Sequence, residues 1–408
     1  MDKSINHNLP LIMHIDLNSC FATIEQQANP LLRGKAIAIA AYDSPGGCIV
    51  SPSIEAKTLG ITVGTTVKQA RLIKPDIIIL LPDPDKYRHV NHQFNRIFSS
   101  YTPCVTPLSV DESVLDFTHM PNLNQSLIGI GKDIKLRFKK EIGEWISCSI
   151  GIGPNRFLAK LAANLKKPDG LDLIDFRNLK TIYQKVKLTD LNGINHRFEA
   201  RLNAQAIYTP MDFFNANINT LEKQVFKSIC GKYWYFRLRG WEVDDIALRR
   251  QSFGQTYSLG KKTKDKPILL AILMKLCEKM GRRLRTSNYQ AKGIWLSLLY
   301  DDYSYWHKSH TFSSYFFTTQ DLYQKSILIF NSQPQPKVVK RISVSCFNLS
   351  KQDQACQLSL WQDKQNRQIS LSHSLDKLND KFGEFSVIWA TMINTDNLAI
   401  DRISFGKN

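Results

Sequence analysis

The sequence contains no pair of cysteines at the CxxC spacing used by zinc ribbons and redox centres. Its eight cysteines are scattered along 408 residues. We therefore expect the reduced, mostly buried thiols of a cytosolic protein rather than a disulfide framework or a zinc site. No apolar run is long enough to cross a bilayer, and the polar first ten residues lack the apolar core of a signal peptide. We find no internal repeats and no low-complexity tract.

Acidic residues are also scarce relative to basic ones. The chain has 36 Asp and Glu against 54 Lys and Arg, which gives a formal net charge of +18. This excess indicates a polyanionic partner. An anionic membrane is the competing target, but the charge is spread along the chain rather than held in one amphipathic helix. The length predicts two to four domains, and the hydrophobic content of 43% is typical of well-packed globular proteins.

Two apolar stretches carry acids in an unusual setting. In residues 107–117 the adjacent carboxylates Asp111 and Glu112 interrupt a predicted strand. Neighbouring strand residues point to opposite faces, so both acids cannot share one core, where an unpaired carboxylate is very costly. A second apolar strand leads to Asp16. If the strands are neighbours, three carboxylates meet at one sheet edge and suit Mg²⁺ and in-line phosphoryl transfer. Such a DE pair also occurs in strands by chance.

The order of predicted elements is that of an α+β protein. Helical periods in residues 84–101 and 127–142 alternate with apolar strands, and carboxylates at strand ends fit a ferredoxin-like sheet. From about residue 250 basic residues become frequent, and alternating strands follow at 293–300 and 340–349. This change in composition and hydrophobic pattern predicts a separate basic α/β domain. The last part begins polar and then carries one helix over residues 371–382.

Several motifs, in a fixed order, make the resemblance to one family specific. They are the Asp16 strand leading into residues 20–35, EAKTLGI at 55–61, SVDES at 109–113, SIGIG at 149–153 followed by LAKLA at 158–162, and QSFGQTYSL at 251–259. In these motifs the chain resembles the Y-family, lesion-bypass DNA polymerases of the bacterial polymerase IV and polymerase V catalytic-subunit type. Each motif alone is modest, but their order along nearly the whole chain is informative.

The resemblance implies an α+β multidomain fold. This is a right-hand polymerase with a ferredoxin-like palm, small fingers, a helical thumb and a C-terminal little-finger α/β domain. The expected bounds are 1–25 and 82–175 for the palm, 26–81 for the fingers, 176–245 for the thumb, 246–349 for the little finger and 350–408 for a C-terminal tail. In the thumb, the turn at 192–195 is only a weak match to the family's phosphate-binding hairpin.

The resemblance also implies a site for two Mg²⁺ ions. Asp16, Asp111 and Glu112 match the family's catalytic, metal-binding acids. The carbonyl of Leu17 is expected to complete one coordination shell. One ion would lower the pKa of the primer 3′-hydroxyl, and both would stabilise the reacting phosphate.

Four residues are expected to contact the incoming nucleotide: Phe21, Ser51, Lys57 and Lys160. Phe21 matches the aromatic steric gate that excludes a ribose 2′-hydroxyl, the alternative being a residue that packs behind the sheet. Lys160 matches the lysine that meets the triphosphate, the alternative being a solvated helix lysine. The sequence departs from the family's Tyr and Arg pair, which is replaced by Ile54 and Lys57. Lys57 keeps a point charge but lacks the bidentate fork of arginine.

The basic domain is expected to hold duplex DNA by phosphate contacts, without base readout and with salt-sensitive affinity. A solvated basic face is the alternative. The candidate DNA-binding residues are Lys261, Lys262, Arg282 and Arg283.

A short peptide near the C-terminus resembles the one by which bacterial polymerases hold the sliding clamp. A glutamine followed by alternating apolar anchors can fill a preformed pocket, although an ordinary strand has the same alternation. The candidate partner-binding residues are Gln357, Leu358, Leu360 and Trp361.

The leading hypothesis is a template-directed DNA polymerase that extends primers past damage, with primer–template DNA and deoxynucleoside triphosphates as partners. A catalytically silent DNA-binding accessory subunit of the same fold is the alternative. The presence of Asp16, Asp111 and Glu112 argues against it. A nucleotide cyclase, which also carries carboxylates on a palm-like sheet, would have no use for the basic C-terminal domain or the clamp-like peptide.

Overall fold

The computed structural model describes residues 5–120, 126–244, 250–351 and 363–399. The chain forms two compact units that divide between residues 246 and 247. The first unit contains these strands: β1 Ile12–Leu17, β2 Ile37–Ala40, β3 Ile49–Pro52, β4 Ile78–Leu80, β5 Val105–Pro107, β6 Glu112–Asp116, β7 Cys148–Gly153 and β8 Leu171–Leu173. Its helices are α1 Cys20–Ala28, α2 Ile54–Thr58, α3 Val67–Ile73, α4 Pro84–Ser99, α5 Leu127–Arg137, α6 Arg156–Leu165, α7 Leu179–Tyr183, α8 His196–Asn203, α9 Pro210–Asn215, α10 Ile218–Thr220 and α11 Cys230–Leu238.

The main sheet of the first unit has five strands in the order β5-β6-β1-β7-β8. β1 is central and antiparallel to both neighbours, and all six of its residues are buried. The predicted adjacency of the two acid-bearing strands is confirmed, because β1 pairs directly with β6. Helices α1, α4, α5 and α6 pack on this sheet, around a core that includes Phe21, Tyr87, Phe94 and Phe138.

Two glycines on β7 let helix α6 lie very close to the sheet. A Cβ added at Gly151 would come within 2.0 Å of the Ala159 carbonyl oxygen, and one at Gly153 within 2.6 Å of the Ala159 amide. Asn155 caps the helix, since its side chain accepts a hydrogen bond from the Leu158 amide at 2.8 Å. The glycines of the SIGIG motif thus bring α6 and its side chains against the acid-bearing strands.

A small sheet in the order β3-β2-β4 carries helices α2 and α3. Its core is built from small and β-branched side chains such as Ala38, Ile49 and Val67. Ser53 caps α2 by accepting a hydrogen bond from the Ala56 amide at 3.2 Å, which fixes where the helix begins. Helices α7 to α11 form a separate layer around Tyr183 and other aromatic residues.

The second unit is a four-stranded antiparallel sheet in the order β11-β10-β12-β9, covered on one face by two helices. Its elements are β9 Ser252–Thr263, α12 Lys266–Thr286, β10 Tyr289–Tyr300, β11 Tyr305–Phe316, α13 Thr319–Phe330, β12 Val339–Lys351 and α14 Asp363–Phe382. The open face is rich in hydroxyls: the register places Ser297 opposite both His307 and Ser343, and Thr256 opposite Ser343. The mixed α+β organisation predicted from the sequence is confirmed.

The helix predicted over residues 371–382 begins earlier, at Asp363, and ion pairs connect it to α12. The buried guanidinium of Arg285 donates to both carboxylate oxygens of Asp376, at 2.6 and 2.7 Å. Further along the chain, Lys275 donates to the Thr395 carbonyl at 2.7 Å. The described part of the expected C-terminal tail is therefore packed into the second unit.

Candidate active site

Three carboxylates meet at one edge of the main sheet. Asp16 on β1 lies directly opposite Glu112, the first residue of β6. Asp111 immediately precedes that strand, and its carbonyl accepts a hydrogen bond from the Leu17 amide at 2.9 Å. The structure thus brings together the three acids that the sequence singled out.

Two lysines neutralise two of these acids. Lys167 Nζ lies 2.6 Å from Asp16 Oδ2, and Lys160 Nζ lies 2.6 Å from Glu112 Oε2. The third acid is held differently: Ser109 Oγ donates to Asp111 Oδ1 at 2.5 Å. Each carboxylate is therefore fixed in place by a neighbour that supplies positive charge or a hydrogen bond.

Burial makes this edge a poor place for uncompensated negative charge. It raises the pKa of Asp16 to about 6, although Lys167 acts in the opposite direction. It also raises the pKa of Asp111. For Glu112, burial acts the same way, but the ammonium of Lys160 outweighs it and holds the pKa below its usual value. A cation bound among these acids would relieve the cost of ionising them.

A cavity of about 460 Å³ opens beside the acids. Its lining joins the sheet edge to helix α2 and to the loop after α6, and includes Asp16, Leu17, Ser51, Ile54, Lys57, Asp111 and Lys167. Burial and the neighbouring Lys167 lower the pKa of Lys57. Three of the predicted site residues outside the acids, namely Leu17, Ser51 and Lys57, therefore share one cavity with Asp16 and Asp111.

Two predicted nucleotide contacts are placed elsewhere. Lys160 lies on α6 against Glu112 and is absent from the cavity lining. Phe21 is fully buried and stacks on Tyr87, with ring centroids 4.4 Å apart and planes inclined by 6°. Tyr87 in turn donates to Glu25 Oε1 at 3.0 Å. The gate role of Phe21 stays a prediction. Phe21 itself does not line the cavity, but Cys20, the residue before it, does.

Lys167 is the cavity residue that the sequence reasoning missed. It lies in the loop between α6 and β8, followed by Pro168. Loops placed by a rigid scaffold commonly carry functional residues, and a lysine in the loop that returns to the sheet edge was a usable signal. The resemblance to the Y-family directed the prediction to Lys160, which matches the family's triphosphate lysine.

The donors at this edge fit a divalent metal ion. Carboxylate oxygens are the ligands that hard cations prefer. His14 also faces the edge: its Nε2 is 3.8 Å from Glu112 Oε2. Burial lowers the pKa of His14 to about 3, so the imidazole is neutral.

The candidate DNA-binding residues of the second unit differ in their surroundings. Lys261 is exposed on β9, and Lys262 Nζ lies 2.5 Å from Asp301 Oδ1. Arg282 belongs to the helix layer and lies 2.8 Å from Asp380 Oδ1. Arg283 Nη1 donates to the Gly254 carbonyl at 3.4 Å. The clamp-like residues Gln357, Leu358, Leu360 and Trp361 lie outside the described residues.

Residues 15–164 match the model of the impB/mucB/samB family, and residues 250–360 match the model of that family's C-terminal domain. A DNA polymerase IV of Pelotomaculum thermopropionicum is 30% identical over 96% of this chain and 97% of its own length. The chain belongs to the Y-family of DNA polymerases. DNA polymerase IV 1 of Bacillus subtilis is 26% identical over 98% of this chain and 97% of its own length.

A solved structure of a Y-family polymerase chimera built from Dbh and Dpo4 shows the same fold. Its TM-score is 0.73 at 23% identity, and the match covers 83% of this chain and 98% of that one. The predicted right-hand polymerase architecture is thereby confirmed. Among the described residues, no helix of this Y-family member has the length and apolar content of a membrane span.

Proposed function

We propose that the edge formed by Asp16, Asp111 and Glu112 is the catalytic centre of a template-directed, lesion-bypass DNA polymerase. Family membership gives the reaction class, DNA and deoxynucleoside triphosphates as partners, and the use of a divalent metal. The direct pairing of Asp16 with Glu112 across β1 and β6 carries the assignment to these residues. A silent accessory subunit is not supported, since all three acids are present and converge.

The metal requirement follows from the donor set. In this proposal the three carboxylates and the Leu17 carbonyl would hold two Mg²⁺ ions, which would supply Lewis-acid activation of the primer hydroxyl and neutralisation of the phosphates. The chain itself fixes the acids before binding. Ser109 orients Asp111, and the Asp16–Glu112 register keeps the other two side chains at one edge.

The triphosphate is expected to enter the cavity beside the acids. Lys57 and Lys167 both line it and carry positive charge toward anionic oxygens. Lys167 pairs with Asp16, and a cation that neutralised this acid would allow the lysine to contact a phosphate. Lys160 pairs with Glu112, which supports a positioning role, and its expected contact with the triphosphate stays a prediction. Ser51 offers a hydroxyl at the same wall.

The stack of Phe21 on Tyr87 supports a sugar gate built into the core. Phe21 is fixed from behind by a parallel ring 4.4 Å away, so it cannot yield to an added 2′-hydroxyl. Its position directly after Cys20, which lines the cavity, supports the proposal that its backbone lies next to the nucleotide site.

We assign the grip on duplex DNA to the second unit. Lys261, Lys262 and Arg283 lie at or beside β9 and would contact phosphates next to the hydroxyl-rich open face of the sheet. Arg282, held by Asp380, adds to this grip only when that ion pair opens. The seven described cysteines are free thiols. We propose that the protein acts on DNA in the cytoplasm.

The clamp-like peptide completes the proposal. Residues 357–361 are proposed to bind a sliding clamp through Gln357 and the apolar anchors that follow it. Deleting 357–361 should abolish clamp-stimulated synthesis and spare basal synthesis. An equal loss of both activities would indicate a structural strand instead.

The deciding experiment is primer extension with Mg²⁺ on undamaged and lesion-bearing templates. The wild type should extend both, and Asp111→Ala/Glu112→Ala should be inactive while folding normally by circular dichroism. Asp76→Ala serves as the matched control, because it removes an exposed acid that is paired with Lys74. Incorporation that survives in the double variant would exclude the assigned mechanism.

A further inference from the structure

His14 is a buried residue whose polar atoms are not satisfied. Its side chain is 1% exposed on the central strand β1. Within the described ranges, neither Nδ1 nor Nε2 has a hydrogen-bond partner. Leaving a buried polar group unpaired destabilises the folded state. An apolar side chain at this position would avoid that cost. The unpaired imidazole therefore indicates that His14 binds a ligand.

The ring is directed at two of the catalytic acids. His14 and Asp16 lie two residues apart on one strand and therefore share a face of the sheet. One ligand atom from each of His14, Asp16 and Glu112 lies within 4.8 Å of the other two. The 3.8 Å between His14 Nε2 and Glu112 Oε2 is too long for a hydrogen bond but spans an ion.

We propose that His14, Asp16 and Glu112 form a three-ligand site that binds a transition-metal cation, Mn²⁺ or Zn²⁺, in preference to Mg²⁺. An imidazole nitrogen suits first-row transition metals, whereas Mg²⁺ prefers oxygen alone. The inference rests on the proposed function only through the two shared acids. It adds a nitrogen ligand and a metal preference, and it applies to the protein without DNA or nucleotide.

The present arrangement needs only a small adjustment to bind an ion. Ligand atoms about 2.1 Å from one metal ion lie at most about 4.2 Å apart, so the carboxylates would turn inward by less than about 1 Å. Lys160 and Lys167 now contact the same two carboxylates at 2.6 Å. Both acids therefore already carry a positively charged partner, which a metal ion bound by the same oxygens would have to displace.

The site has a functional consequence for metal choice. A transition metal held by His14 would be retained without nucleotide, whereas ions held by oxygen alone depend on the substrate's phosphates. The polymerase would then bind Mn²⁺ in its free state and Mg²⁺ only weakly.

The test measures metal binding directly on the full chain without DNA or nucleotide. Mn²⁺ titrated into the wild type should bind at least about tenfold more tightly than into His14→Leu. Mg²⁺ affinity should change less than about twofold. Pulsed electron paramagnetic resonance of the Mn²⁺-loaded wild type should show coupling to one imidazole nitrogen, a readout that needs no variant to fold.

Asp111→Ala separates this inference from the proposed function. It removes an acid outside the three-ligand set, so nitrogen coupling should persist while primer extension is lost. Absence of nitrogen coupling in the wild type, or equal Mn²⁺ affinity in a folded His14→Leu protein, would overturn the inference. If the coupling is present but the wild type extends no primer, the metal site stands and the proposed function fails.

Discussion

The two units of the chain use buried charge in opposite ways. In the second unit every nitrogen of the Arg285 guanidinium donates a hydrogen bond: to Asp376, to the Phe317 carbonyl at 3.2 Å and to Thr319 at 3.1 Å. In the first unit, Asp16 and Glu112 are each held by one lysine, and the nearby His14 has no partner among the described residues. A satisfied buried charge joins elements together, and an incompletely satisfied one leaves room for a ligand.

The largest expected effect concerns the hydrogen-bonded buried charge of the second unit. Asp376→Ala leaves the guanidinium of Arg285, 3% exposed, without its carboxylate partner. Removing one partner of a buried pair costs about 3–5 kcal/mol. We expect the free energy of unfolding of the second unit, measured by urea denaturation, to fall by that amount. Asp380→Ala is the control, because its exposed pair with Arg282 should be worth less than about 1 kcal/mol. Equal losses in the two variants would show that the pair with Arg285 is not special.

The acids of the first unit are tested by comparing the two lysines that pair with them, Lys167 and Lys160. Lys167→Ala removes a charge from the cavity lining, and a charge-assisted hydrogen bond to phosphate is worth about 1.5–3 kcal/mol. We expect the KM for the incoming nucleotide to rise roughly 10–100-fold. Lys160→Ala should instead lower kcat, because it releases Glu112 and leaves the cavity lining unchanged. Single-nucleotide incorporation kinetics distinguish the two. A KM effect confined to Lys160→Ala would reverse our assignment.

Phe21→Ala examines a buried residue without charge at the same site. Removing the ring should admit a 2′-hydroxyl and raise incorporation of ribonucleotides relative to deoxynucleotides by roughly tenfold. The truncation also costs about 3–5 kcal/mol of stability, so Phe21→Leu is measured beside it as a milder change. Unchanged sugar discrimination in a primer-extension assay would remove the gate assignment.

Whether a feature of the fold or the site could be predicted from the sequence depends on how far apart along the chain the interacting residues lie. The strand-borne acids Asp16 and Glu112 were predictable, because alternating strand geometry and one pairing fix their position. Lys167 was not found, since its place depends on how the loop after α6 returns to the sheet. Arg282 was predicted as a DNA contact from charge alone. Its pair with Asp380, almost a hundred residues away, could not be read from composition.

Metal binding should depend on pH in a defined direction. The pKa of Asp16 is raised to about 6 by burial. In the metal-free protein the protonated acid is therefore favoured in the folded state, so this group's contribution to stability falls as pH rises from about 4 to about 6. A divalent ion competes with that proton. We expect Mn²⁺ to raise the Tm by a few degrees at pH 7.5 and by less at pH 5. Asp16→Asn should abolish the difference between the two pH values.

The smallest expected effect concerns the exposed basic residues of the second unit. Each phosphate contact contributes a slope of about −0.9 to the dependence of log affinity on log salt. Lys261→Ala/Lys262→Ala should therefore flatten the slope by about 2 and weaken duplex binding a few-fold at moderate salt, equally for all sequences. Lys262 is already paired with Asp301 at 2.5 Å, so Lys261→Ala alone should account for more than half of the change.

Fluorescence anisotropy of labelled duplex between 50 and 200 mM salt measures both the salt slope and the duplex affinity. A double variant that keeps the wild-type slope would move the phosphate contacts away from β9 and leave the open, hydroxyl-rich face as the surface to test next.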